Sequence, residues 1–109
     1  MTSRTPEIDI DQLDRRARDA HVVDVREVGE FAAGHVPGAS SVPMSQLANR
    51  LGELEKSRPV YVVCASGNRS AAMADLLVAA GFDAYSVAGG TSAWSRSGRP
   101  LETGAPRAS

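Results

Sequence analysis

The chain has 109 residues, of which 42% are hydrophobic and 23% charged, and it carries a formal net charge of −1 and a single cysteine. A chain this long buries roughly two-thirds of its unfolded surface and needs neither disulfide nor metal to fold, and the lone Cys64 excludes an internal disulfide. The near-neutral balance leaves no basic footprint for nucleic acid or an anionic membrane, so any preference for anions must be local.

In chain order, Met1 to Pro6 lacks an apolar leader core, and no run approaches the roughly 20 apolar residues of a membrane helix; the expectation is a cytoplasmic protein. Ile8 to Asp19 is mostly charged with Ile10, Leu13 and Ala17 at helical spacing, which predicts a short amphipathic helix. Val22 to Val25 reads as a buried strand, Glu27 to Ala33 as a short helix stopped by Gly34, and Ala39 to Val42, after the Pro37-Gly38 turn, as a short strand. Ser45 can cap a helix whose buried face is Leu47, Leu51 and Leu54.

The β-branched run Val60 to Val63 predicts a second buried strand, which breaks at Cys64 into Ala65-Ser66-Gly67-Asn68-Arg69-Ser70. Met73, Leu76, Leu77 and Ala80 then recur at helical spacing until Gly81. Ala84 to Val87 is a further strand, and Gly89-Gly90 opens a brief helix carrying Trp94. Residues 7–98 read as the ordered core and 99–109, rich in Pro and Gly, as a loose tail of one domain. Strands alternating with helices imply a parallel sheet covered on both faces. In such sheets ligands sit at the carboxyl ends of the strands, where this reading puts Asp24, Cys64 and Gly89.

The thiol therefore lies at a strand-to-helix turn, where backbone N–H groups without intrahelical partners can converge on an anion. Gly67 lets the loop turn, and Arg69 adds a fixed positive charge. A helix N-terminus or a nearby cation lowers a thiol pKa from its usual value of about 8.5, so the pattern favours a resting thiolate over a small buried hydrophobe. Arg69 could face the pocket, or brace the loop by pairing with Asp24 or Glu27. Asp24 fits a structural acceptor for loop amides or an arginine better than a general base. Ser66 and Ser70 offer hydroxyl donors, and Ser70 is equally placed to be an N-cap. His35, between glycines, reads as structural, and Trp94 as a core or rim aromatic. The histidines have no cysteine partners at zinc-site spacing, so no metal is expected.

Four segments in order, Asp24-Val25-Arg26-Glu27, Gly34-His35-Val36-Pro37-Gly38-Ala39, Cys64 to Ser70, and Gly89-Gly90 with Ala93-Trp94, resemble the rhodanese-like sulfurtransferase family over nearly the whole chain. The resemblance implies a small α/β domain with a central five-stranded parallel sheet and helices on both faces. It also implies that Cys64 takes a sulfane sulfur as a persulfide and passes it to a thiophilic acceptor. Ala65, Ser66, Gly67, Asn68, Arg69 and Ser70 would form the substrate cradle, with Asp24 and Arg26 as supporting residues and no cofactor. A small anionic donor such as thiosulfate, and a thiol, cyanide or a protein as acceptor, are the partners implied.

Two other functions compete with an active sulfurtransferase. A persulfide relay or regulatory module would use the same fold to recognise a protein partner. A phosphatase or arsenate reductase also sets a cysteine before an anion loop ending in arginine. Phosphatase-type loops, however, have one residue more than the four here, Ala65 to Asn68, and a histidine where Val63 stands.

Overall fold

The computed structural model describes residues 5–106. Among these, five strands form one all-parallel sheet: β1 (Glu7–Ile8), β2 (His21–Asp24), β3 (Ser40–Ser41), β4 (Val60–Val63) and β5 (Ala84–Val87) lie in the order β1-β5-β4-β2-β3. The α-helices are α1 (Ile10–Arg16), α2 (Val28–Ala33), α3 (Asn68–Ala79) and α4 (Gly90–Arg96).

Period-two alternation divides the central strand between two cores. Val60, Val62 and, one step past the strand, Cys64 pack with Val23, Val25, Ala74 and Leu77 on the α3 face. Tyr61 and Val63 join Val22, Leu13 of α1 and Trp94 of α4 on the other. Both faces are covered, so all four residues of β4 are buried and its sequence is a continuous apolar run. Burying each such Val or Leu stabilises by about 1.5–3 kcal/mol, which fixes the height at which β4 delivers Cys64.

The structure differs from the expectations at several places. Ile8 belongs to β1, not to a helix: Pro6 and Ile8 accept the amides of Ser86 and Ala88. The helix starts only after Asp9, whose carboxylate accepts the Gln12 amide at 2.8 Å while Gln12 Oε1 accepts that of Asp9 at 2.9 Å. It passes at Ala17–Asp19 into a 3-10 turn. No α-helix follows Ser45; two 3-10 turns, Leu47–Asn49 and Leu51–Glu53, bury Leu47 and Leu54 without a side-chain cap. On α3, Ala74 and Leu77 are the buried apolar positions, while Met73, Leu76 and, at the end of the helix, Ala80 are half-buried against them.

Residues 99–104, expected as loose tail, are seated. Arg99 bonds Asp11 at 2.7 Å and Asp14 at 2.8 Å, Trp94 donates its indole N–H to Pro100, Glu102 pairs backbone to backbone with His35, and the Gly104 amide reaches Ala32. Residues 1–4 and 107–109, the ends of the leader and tail readings, lie outside the described residues. No helix among the described residues is long and apolar enough to cross a membrane.

Candidate active site

β2, β4 and β5 end at one edge of the sheet, and the turns that follow them touch. The Cys64 and Ala65 carbonyls accept the amides of Thr91 and Ser92 at the start of α4, at 2.8 and 3.0 Å. This contact needs Gly90, where φ is +55° and a Cβ would overlap the Cys64 carbonyl oxygen and crowd that of Ala65. Gly67, at φ +111°, sits beside the Gly89 amide and ends the loop as the residue capping α3. Gly89 and Gly90 thus serve by what they lack, as the surface on which the cysteine loop rests.

Around the sulfur the loop turns its donors inward. The Gly67 amide donates to Cys64 Sγ at 3.0 Å, and Ser70 Oγ stands 3.4 Å away. Burial pushes the thiol up, but the Ser70 hydroxyl and amide and the Gly67 and Ser66 amides together pull it further down, leaving it below an ordinary thiol. Cys64 is 1% exposed. A thiolate at this position is therefore held by donors of the protein in place of water.

Ser70 is not the N-cap that its position suggested; it is the third residue of α3, fully buried. Its hydroxyl lies 3.1 Å from the Gly67 carbonyl and 2.8 Å from Ser86 Oγ on β5. A hydroxyl has one proton, so Ser70 can donate to a thiolate while accepting from Ser86. Sequence reasoning missed Ser86; the signal was a serine inside the otherwise apolar Ala84 to Val87.

The Arg69 brace exists with a partner the sequence did not single out. Its guanidinium bonds neither Asp24 nor Glu27; it makes a two-pronged pair with Glu30 of α2, Nη1 to Oε1 at 2.9 Å and Nη2 to Oε2 at 3.1 Å. That pair raises the Arg69 pKa and lowers that of Glu30. Nothing local ties Glu30 to a residue 39 positions on; only the packing of two loops at one edge does.

Asp24 and Arg26 pair beside the cysteine loop, with the carboxylate closed to other partners. Asp24 accepts the Arg26 amide and Nε, each at 3.0 Å, and Nη2 at 2.8 Å, and Nη2 also reaches the Gly34 carbonyl at 2.7 Å. Asp24 is 1% exposed and fully engaged, a structural acceptor for an arginine and not for the amides of the Cys64 loop. His35 stacks on Phe31 at 3.7 Å and meets the Phe31 carbonyl through Nδ1 at 2.8 Å, so Nδ1 carries a proton and the ring is structural. Of the loop residues proposed for the cradle, Ser66, Gly67 and Ser70 converge on the sulfur and Asn68 is exposed. Ala65 forms part of an open depression of about 420 Å³ that Arg26, Glu30, Thr91 and Arg96 also line.

A parallel α/β domain that presents a buried, amide-bonded cysteine sulfur at a strand-to-helix turn is a defined class, and comparison with known proteins agrees on the fold. The model of the Rhodanese-like domain family matches residues 9–97. The thiosulfate sulfurtransferase GlpE of Pseudomonas putida (strain F1) is 41% identical over 90 residues, 82% of this chain and 81% of that protein. The uncharacterized protein YqhL of Bacillus subtilis is 40% identical over 78 residues, 71% of this chain; the match spans 62% of YqhL, less than two-thirds of its length. Among solved structures, a rhodanese-related protein from Thermoplasma volcanium superposes with a TM-score of 0.85 at 32% identity, over 89% of this chain and 97% of that one. A thiosulfate sulfurtransferase from Pseudomonas aeruginosa gives 0.86 at 31% identity, over 94% of this chain but 21% of the other. The chain belongs to the rhodanese-like domain family.

Proposed function

We propose that this rhodanese-type sulfurtransferase carries sulfane sulfur from a small anionic donor such as thiosulfate to a thiophilic acceptor, with the sulfur held in between as a persulfide on Cys64. The observation that supports it best is the sulfur of Cys64 at 3.0 Å from the Gly67 amide, with its pKa drawn down by the Ser66, Gly67 and Ser70 donors. Thiolate attack on sulfur needs no general base. The Cys64 electron pair forms a bond to the outer sulfur of thiosulfate, the S–S bond of the donor breaks, and its pair leaves on sulfite. An acceptor thiolate or cyanide then attacks the outer sulfur, and the pair of the broken bond returns to Cys64. The same amides hold charge in both half-reactions; in other enzymes the loss of one such preorganised donor costs about 2.7–4 kcal/mol.

Cys64 is the only thiol in the chain, so no resolving cysteine exists and turnover depends on an external acceptor, with ping-pong kinetics. A protein acceptor would make the same chemistry a relay. A reducing cytoplasm suits an unpaired reactive thiol. Incubation with thiosulfate, removal of donor and intact-mass measurement should show a gain of one sulfur atom that cyanide or a reducing thiol discharges. A wild-type protein that never gains the atom would overturn this reading in favour of a regulatory module. Discharge by candidate protein acceptors but not by small thiols or cyanide would identify the relay.

A further inference from the structure

The Cys64 loop has one charged residue, Arg69, and both of its terminal nitrogens are taken by the Glu30 carboxylate. Glu30 is held in turn by its own helix: Oε1 also accepts the Glu27 amide at the start of α2, at 3.2 Å. The pair is accessible, with side chains 34% and 38% exposed, and Glu30 shares the wall of the open depression with Ala65, the residue next to the nucleophile. A dianionic donor arriving at the thiolate therefore meets the loop's cation already neutralised.

We propose that Glu30 is a positioning residue that sets donor preference by charge: it occupies Arg69 and so disfavours dianionic sulfur donors relative to monoanionic ones. The inference rests on the sulfur transfer proposed above. When Cys64 attacks thiosulfate, three negative charges gather, one on the thiolate and two on the donor; two then depart on sulfite and the persulfide keeps one. An alkanethiosulfonate gives up the same sulfane sulfur to the same thiolate, its S–S bond breaking with the pair on a sulfinate, but it brings one charge fewer. Arg69 helps the first reaction more than the second, and Glu30 withholds that help.

The test is the ratio of kcat/KM for thiosulfate to that for methanethiosulfonate. Glu30→Gln removes the charge yet keeps an amide oxygen for the Glu27 amide, since Gln serves in this capping position as well as Glu. It should raise the ratio about two- to fivefold, the range expected for freeing one partner of an exposed ion pair, through a lower KM for thiosulfate. Glu30→Asp should move the ratio back toward wild type, and Arg69→Ala in the Glu30→Gln background should cancel the gain. A ratio unchanged in Glu30→Gln, or both donors falling together as for a simple loss of loop support, overturns the proposal. Failure of both donors with the wild type would count against sulfur transfer itself, and the charge preference would then be read from protection of Cys64 against iodoacetamide by sulfate and by methanesulfonate. Glu30→Gln must strengthen protection by sulfate more than by methanesulfonate; equal changes sink the inference.

Discussion

β2 and β4 end side by side in the sheet, and the loops they feed treat buried polar groups in opposite ways. At the end of β2, Asp24 accepts the amide, Nε and Nη2 of Arg26, and Nη2 also reaches the Gly34 carbonyl, so the carboxylate is closed to further partners. After β4, the amides of Ser66, Gly67 and Ser70 are aimed at one sulfur whose charge and oxidation state can change. The first arrangement fixes geometry and the second leaves chemistry to be done. A buried carboxylate whose lone pairs are all taken offers nothing to a ligand, whereas a ring of donors around an atom that can gain a substituent does.

The contrast breaks most sharply at the sulfur. Cys64→Ser is nearly isosteric and should keep the fold, yet lose both the one-atom mass gain with thiosulfate and all turnover, because a hydroxyl in this nest is neither ionised nor sulfur-philic. A Cys64→Ser protein that still moved sulfur would falsify the assignment of the nucleophile. On the closed side the expected loss is of stability. Asp24→Ala strands a buried guanidinium and should cost about 3–5 kcal/mol in urea unfolding, while the alkylation midpoint of Cys64 stays where it is. A change under about 1 kcal/mol, or a moved midpoint with unchanged stability, would show that the two loops are not separate in this sense.

What could be read from the sequence divides along the same line. The strand-loop-helix around Cys64 was legible because its signals are local: a β-branched run, a glycine that needs positive φ, and a helical repeat. β2 and β5 were legible for the same reason, within a residue. β1 was not, because two residues carry no periodicity and Ile8 becomes a strand only through the partners β5 offers. The turns after Ser45 kept their leucines in the core without an α-helix, since burial can be met by shorter turns as well. Residues 99–104 looked loose by composition, and are held by Asp11, Asp14, Ala32 and His35 from distant parts of the chain. Ser86 and Glu30 escaped for the same reason: each matters through a residue far away in sequence.

The open side can be tuned without being destroyed. The thiolate forms as pH rises through the depressed pKa of Cys64, so the rate of alkylation by iodoacetamide should reach half its maximum below the ordinary thiol value of about 8.5. Ser70→Ala removes a donor to the thiolate and leaves burial to push the thiol up. Its midpoint should lie above that of the wild type. A wild-type midpoint at or above the free-thiol value, or a Ser70→Ala midpoint that does not rise, would reject the nest as the source of reactivity.

The smallest effect is expected where an ion pair is neither closed nor aimed at the sulfur. Arg69 and Glu30 are about one-third exposed, and pairs so placed are worth at most about 1 kcal/mol because water and salt screen them. Arg69→Ala should therefore lower stability near neutral pH by no more than that, and less in high salt. The pH dependence has a definite sign. The Arg69 hydrogen bonds hold the Glu30 pKa below its unfolded value, so their contribution is present above the unfolded carboxylate range and is lost as pH falls through the folded value, while Arg69 stays charged throughout. Urea unfolding of wild type and Arg69→Ala at a series of pH values should show two curves separated at neutral pH that converge below about pH 4. A separation that persists in acid would mean that Arg69 braces the loop by packing its aliphatic stem and not by its charge. It would then stand with Asp24 and Arg26 as structure, and the charged rim of the cysteine loop would be as fixed as the buried pair beside it.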